Sequence, residues 1–179
     1  MTGDWSNIRC IAHRCGGAMA PENSLAGLGV AARLGMGAVE FDVMLSADGD
    51  PFLIHDETLE RTTLGTGRVA ETPSIVLDTL SCARGWGPPF DIERVPRLEP
   101  ALAKCYELNL LPNVEIKPSV GSEEETGKVV ARRALATWTA LGGGAGSGVV
   151  FFVLKACPGR CKSGDANAAL CPPAGGGLS

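Results

Sequence analysis

No apolar run in this chain approaches the ~18–20 residues that a bilayer-spanning helix requires, so no membrane span is expected. There is no basic surplus either. Sixteen Lys and Arg against twenty Asp and Glu give a net charge of −4 and a pI near 5.2, which removes the electrostatic footprint of a nucleic-acid binder. The opening MTGDWSNIRC lacks the basic-then-apolar pattern of a secretory leader, and a cytoplasmic location is expected. Seven cysteines, an odd number, argue for reduced thiols rather than a disulfide framework. Cys157 and Cys161 have no second cysteine pair after them and no histidine nearby, so a four-ligand zinc site is not read there. Gly65 and Gly67 permit a tight turn but lack the lysine and serine of a phosphate loop. Only two histidines occur in 179 residues, which makes the position of each informative.

What is present is ordinary globular composition, 45% hydrophobic and 20% charged, in a chain long enough for one domain with a real core. Short apolar runs at Ile8–His13, Ala38–Leu45, Pro51–His55 and Leu110–Ile116 read as strands, with Pro112 at the entry of the last. Between them, helices are expected over Asn23–Leu34 (capped by Asn23 or Ser24), Ser74–Cys82, Pro96–Leu108 and Glu123–Leu141, the last opened by three glutamates that favour a helix N-terminus. Ser46–Asp50, with its Asp-Gly pair, is a turn, and 56–73 is a polar stretch without hydrophobic periodicity. Alternating strands and helices imply parallel pairing, in either a doubly wound sheet or a β/α barrel. Four chemically capable residues, His13, Asp42, His55 and Glu115, fall at or near strand C-terminal ends, where barrel active sites lie, and this favours the barrel.

Glu40 and Asp42 flank Phe41 on one strand, so both carboxylates point to one face and Phe41 to the other. Glu115 and Lys117 stand in the same relation about Ile116. Clustered carboxylates on apolar strands call for a compensating cation, because unpaired burial costs several kcal/mol. Oxygen-only ligation would select Mg²⁺ or Ca²⁺; from spacing alone, an ion network with Arg14 and Lys117 serves equally well. Histidine is the side chain suited to proton transfer at neutral pH, so His13 and His55 fit a phosphodiester reaction, one taking a proton from the attacking oxygen and the other giving one to the leaving alkoxide. Arg14 and Lys117 can offset phosphate charge. Asn23 is a helix cap or a site neighbour, and Arg61-Thr62-Thr63 reads as loop architecture.

HRCGGAMAPENSLAG, AVEFDVMLSADGDPFLIHDETLERTTLGTG and NVEIKP together resemble, in order and spacing, the glycerophosphodiester phosphodiesterase family over roughly residues 8–141. The resemblance implies a TIM (β/α)₈ barrel that hydrolyses substrates such as glycerophosphocholine to sn-glycerol 3-phosphate and an alcohol. By it, His13 and His55 are the acid–base pair, and Glu40, Asp42 and Glu115 hold a divalent cation, Mg²⁺ or Ca²⁺. It also places Arg14 and Lys117 against the phosphate and lets the neighbouring glycerol hydroxyl assist as an internal nucleophile. Cys15 departs from the glycine usual after His-Arg, and a thiol there is expected to crowd the site modestly or to bind a soft metal.

Residues 142–179 break the pattern. They hold ten of the 24 glycines and three of the seven cysteines but one acidic residue, Asp165, and only VVFFVL looks structural. With four strands counted before this tail, the expectation is an incomplete barrel of the first four to five βα units over 1–141, truncated or frameshifted thereafter. The half-barrel's open edges imply possible self-association. Two alternative readings accompany the enzyme: an inactive fragment that keeps metal or phosphodiester binding, and a phospholipase D-like enzyme of related fold.

Overall fold

The computed structural model describes residues 5–143 and the backbone of 150–153. Five strands form one sheet: β1 (Ile11–Ala12), β2 (Ala38–Leu45), β3 (Pro51–Leu53), β4 (Leu111–Ile116) and β5 (Val150–Val153). Among the described residues four α-helices accompany them: α1 (Leu25–Arg33), α2 (Ser74–Leu77), α3 (Leu98–Glu107) and α4 (Glu123–Ala140). The parallel order β1-β2-β4-β5 is that of successive barrel strands, with Asp42 opposite Glu115 in the β2–β4 register.

β3 stands outside this order. It pairs antiparallel with β2, Val43 facing Leu53, so the expectation that Pro51–His55 is a barrel strand is corrected. The reason lies in the connection. A parallel crossover needs a dozen or more residues, whereas Ser46–Asp50 closes a hairpin through Ser46 N–H donating to Asp50 O at 2.9 Å, with Gly49 at φ +82°. The barrel strands before residue 141 therefore number three, and the fourth, β5, lies in the VVFFVL stretch beyond it.

The helices form where their apolar residues line one face. Ser24, rather than Asn23, caps α1, its Oγ accepting from Gly27 N–H at 3.0 Å. Leu98, Ala101, Leu102 and Cys105 of α3 recur at helical spacing and are buried, as are Thr126, Val130, Ala134 and Trp138 of α4. These faces pack on Val39, Phe41, Val43, Val114 and Ile116, the helix-facing side of β2 and β4.

Residues 46–97 make a subdomain over the C-terminal end of β2. The polar stretch after His55 contributes Leu59 and Val69 to a second core with Met44, Phe52, Ile54, Leu77, Cys82 and Val95. Leu59 stands alone among polar residues and Val69 has only Ala70 beside it, which is why no period announces them. The expected helix at Ser74–Cys82 is shortened to one turn. Cys10, Cys15, Cys82 and Cys105 are free thiols; Cys157, Cys161 and Cys171, with the rest of 144–149 and 154–179, lie outside the described residues. Among the described residues no helix is long and apolar enough to cross a membrane.

Candidate active site

The inner side of the sheet carries the polar residues that the apolar outer side excludes. Glu40 and Asp42 project from β2 and Glu115 from β4, and one carboxylate oxygen from each lies within 4.8 Å of the others. Asp42 is buried, 1% exposed, and Glu40 nearly so. Glu40 Oε2 accepts the Arg14 amide at 2.8 Å, but Glu40 Oε1 is buried and has no hydrogen-bond partner among the described residues. Burial, aided by the charges of Asp42 and Glu115, pushes the Glu40 carboxyl up to about 7 against that amide bond.

The loop after β1 is shaped to serve this cluster. Arg14 and Cys15 both adopt left-handed backbone (φ +50° and +71°), which turns two successive amides onto Glu40: Arg14 N–H to its side chain and Cys15 N–H to its carbonyl at 2.8 Å. Gly16 lets the loop lie on α1, since a Cβ there would stand 2.8 Å from Gly27 Cα. The left-handed Cys15 explains why glycine suits this place in the resembling pattern. Its thiol does not enter the mouth. It is fully buried in the helix-facing core with Leu28 and Phe41, and burial first of all raises its pKa well above the usual value. The expectation that it crowds the site or offers a soft-metal thiolate is thereby corrected.

Asn23, likewise left-handed (φ +53°) and buried, clamps Asp42: its Nδ2 donates to Asp42 Oδ2 at 3.0 Å and its Oδ1 accepts the Asp42 amide at 3.1 Å. Arg14 Nε lies 3.6 Å from Asp42 Oδ2, while Lys117 Nζ lies 3.5 Å from Asp42 Oδ1 and 3.1 Å from Glu115 Oε1. The exposed His13 ring reaches Glu40, Nε2 to Oε2 at 3.8 Å.

His55 arrives by another route. The hairpin returns the chain along β2, Ile54 N–H donating to Asp42 O at 3.1 Å, and leaves His55 at the rim. Its Nδ1 is 2.7 Å from Asp56 Oδ1. Asp56 also pairs with Arg61, which forks onto both oxygens of Glu22 at 2.7 Å; Glu22 in turn accepts from Arg14 at 3.1 Å. Arg61 foremost, opposed by partial burial, holds the Asp56 carboxyl down at about 2. Six expected residues, His13, Arg14, Glu40, Asp42, Glu115 and Lys117, thus meet directly, and His55 joins them through Asp56, Arg61 and Glu22. Arg61, read as loop architecture from sequence, is the bridge. Glu22 has no signal except its place beside Asn23.

The donor set fits a hard divalent cation. All three residues offer carboxylate oxygens, and one of these has no partner among the described residues. Their mutual spacing suits shared coordination, since Ca–O bonds of about 2.3–2.6 Å allow ligand oxygens up to roughly 5 Å apart.

Carboxylates, basic groups and histidines thus gather at the C-terminal mouth of a parallel β/α sheet, the end where barrel active sites lie. Comparison with known proteins gives the family. The glycerophosphoryl diester phosphodiesterase family model matches residues 13–156, and the chain belongs to that family. A phosphodiesterase of Oleispira antarctica, solved with the product sn-glycerol-3-phosphate, superposes with a TM-score of 0.74 at 35% identity, over 82% of this chain and 57% of that one. The glycerophosphodiester phosphodiesterase of Caldanaerobacter subterraneus is 36% identical over 124 residues, covering 67% of this chain and 51% of its own length. Human glycerophosphodiester phosphodiesterase 1 is 39% identical over 112 residues, 62% of this chain and 34% of its own. The described fold is accordingly part of a (β/α)₈ barrel, and the chain spans about half the length of the bacterial relative or less of the human one.

Proposed function

We propose that this mouth hydrolyses glycerophosphodiesters, glycerophosphocholine among them, to sn-glycerol 3-phosphate and an alcohol, in the cytoplasm and with a divalent cation, Mg²⁺ or Ca²⁺. The observation that carries the reading is the Glu40–Asp42–Glu115 cluster with its orphaned Glu40 oxygen, flanked by His13, Arg14 and Lys117. Glu40, Asp42 and Glu115 would hold the cation, which when bound withdraws charge from the phosphoryl group. Arg14 and Lys117 orient the phosphate and offset its charge as the transition state forms. Of His13 and His55, one takes the proton of the oxygen attacking phosphorus and the other gives a proton to the leaving alkoxide. Asp56 on Nδ1 fixes the His55 tautomer that leaves Nε2 free to exchange that proton.

The test follows glycerol 3-phosphate release from glycerophosphocholine with Mg²⁺ or Ca²⁺. EDTA should abolish it, and His13→Ala and His55→Ala should each lower kcat by about 10²–10⁴-fold. Turnover indifferent to EDTA and to both substitutions would overturn the reading. Cation binding without turnover would instead assign the chain to the binding-only alternative.

A further inference from the structure

Beside the mouth lies a recess of about 260 Å³ whose walls include Gly17, Ala18, Glu22, Arg61, Arg84 and Trp86. None of the catalytic groups described above lines it, yet it shares walls with them. The Gly17 amide donates to the His13 carbonyl at 2.8 Å, so one wall continues the loop that carries His13 and Arg14. Glu22 is a partition: it accepts from Arg14 on the mouth side and from Arg61 on the recess side. A phosphodiester has two ester arms, and a phosphate held at Arg14 has this recess one carboxylate away for one of them. The volume lies below the ~300–1,000 Å³ of drug-sized pockets and suits a small alcohol.

The walls discriminate by charge. Arg61 is neutralised by Glu22 and Asp56, and both Glu22 oxygens are taken by arginines. Arg84 differs. Its guanidinium donates to the main-chain carbonyls of Glu60 and Thr63, and among the described residues no carboxylate lies within ion-pair distance of it. The Glu60 carboxylate feels its charge, so the Arg84 guanidinium at the recess wall is offset without a direct ion pair. Trp86 is the one aromatic of the lining, its ring set edge-to-face on Phe90 at 5.2 Å and 80°. Quaternary ammonium groups are held by cages of aromatic faces, and a lining with one indole and two guanidinium groups is the opposite arrangement. An indole and guanidinium groups in one lining suit a ring or chain of hydroxyls, apolar on its C–H face and hydrogen-bonding at its edge.

We propose that this recess receives the alcohol head group and selects hydroxyl-rich, uncharged or anionic alcohols over quaternary ammonium ones, with Arg84 and Trp86 as the specificity-determining residues. The proposal rests on the reading of the mouth as a phosphodiester site. Its test compares kcat/KM for glycerophosphoinositol and glycerophosphocholine in the full chain and in Arg84→Met, Trp86→Ala and Ala18→Glu. The intact protein should prefer the inositol diester by about tenfold or more, the value of a charge-assisted hydrogen bond. Arg84→Met should lower the inositol rate and raise the choline rate, and Trp86→Ala should lower the inositol rate more than the choline rate, so that each brings the ratio towards one. Ala18→Glu, which leaves the Arg84 anchors intact, should shift the ratio towards choline. A ratio that is the same in all four proteins, or variants that lower both rates equally, would overturn the assignment. If neither diester is turned over, the catalytic reading has failed, and calorimetric titration with both diesters and with glycerol 3-phosphate decides the recess separately. Tighter binding of the inositol diester, lost in Trp86→Ala, would support it; equal binding of all three, or none, would overturn it.

Discussion

Strand β2 has two faces of unlike character. Val39, Phe41 and Val43 point to the helices, fully buried among apolar side chains. Glu40 and Asp42, one residue away in each case, point to the barrel interior among like charges and two cations. The first face follows the ordinary logic of burial, in which apolar area leaves water at roughly 25 cal/mol per Å². The second face works against stability: it buries carboxylates, raises one pKa and leaves one oxygen unbonded. A single strand thus holds the fold together with its odd residues and keeps a reactive charge cluster in place with its even ones. The rigidity of one face is what makes the strain of the other sustainable.

The largest effect should come from the apolar face. Phe41→Ala should destabilise by about 3–5 kcal/mol, read from urea unfolding, because the packed helices α3 and α4 cannot collapse into the space. Next comes the clamp between the faces. Asn23→Ala removes two buried hydrogen bonds to Asp42 and places alanine at φ +53°, so a loss of about 2–3 kcal/mol is expected by the same measurement. On the charged face the sign should invert. Glu40→Gln at pH 8 should raise the stability of EDTA-treated protein by about 1 kcal/mol, because the carboxylate it replaces is ionised there against burial and two like charges. A Glu40→Gln protein less stable than its parent without metal would erase the contrast between the faces.

The smallest effect lies at the rim. Asp56 and Glu22 both have depressed pKa values, Asp56 chiefly through its Arg61 hydrogen bond, and Glu22, against the opposing effect of burial, through Arg61 and Arg14. A carboxylate with a folded pKa below its unfolded value stabilises above the unfolded value and loses that contribution as protons bind the folded state. Stability should therefore hold down to about pH 4 and decline from there towards pH 2, the Asp56 value. Arg61→Gln should flatten that decline, which acid titration followed by circular dichroism can read.

How much of this was legible in the sequence differs between the two faces as well. The alternation of AVEFDVML reads directly as one apolar and one acidic face, because a strand's period of two is strict. The three-carboxylate cluster followed from that alternation and from the matching Glu115-x-Lys117. Pairing sense did not: β3 looks like any short apolar strand, and only the five-residue turn before it, too short for a crossover, shows that it must fold back. The 46–97 subdomain hid its core because single apolar residues such as Leu59 and Val69 meet through tertiary contact rather than through a local period. The bridge Glu22–Arg61–Asp56 hid for the same reason, since it joins residues 39 positions apart whose types are common on any surface. Asn23 was visible only as a cap; its left-handed backbone and its grip on Asp42 are properties of the packed loop.

The central claim is that the charged face of β2 is built to hold a divalent cation. The most direct measurement is the thermal midpoint of the chain in EDTA and in saturating Mg²⁺ or Ca²⁺, alongside Asp42→Asn. Binding at about a hundred times Kd stabilises by roughly 2.7 kcal/mol, so the midpoint should rise by about 5–10 °C in the intact protein and stay in place in Asp42→Asn. Midpoints that coincide with and without cation in the intact protein would contradict the account.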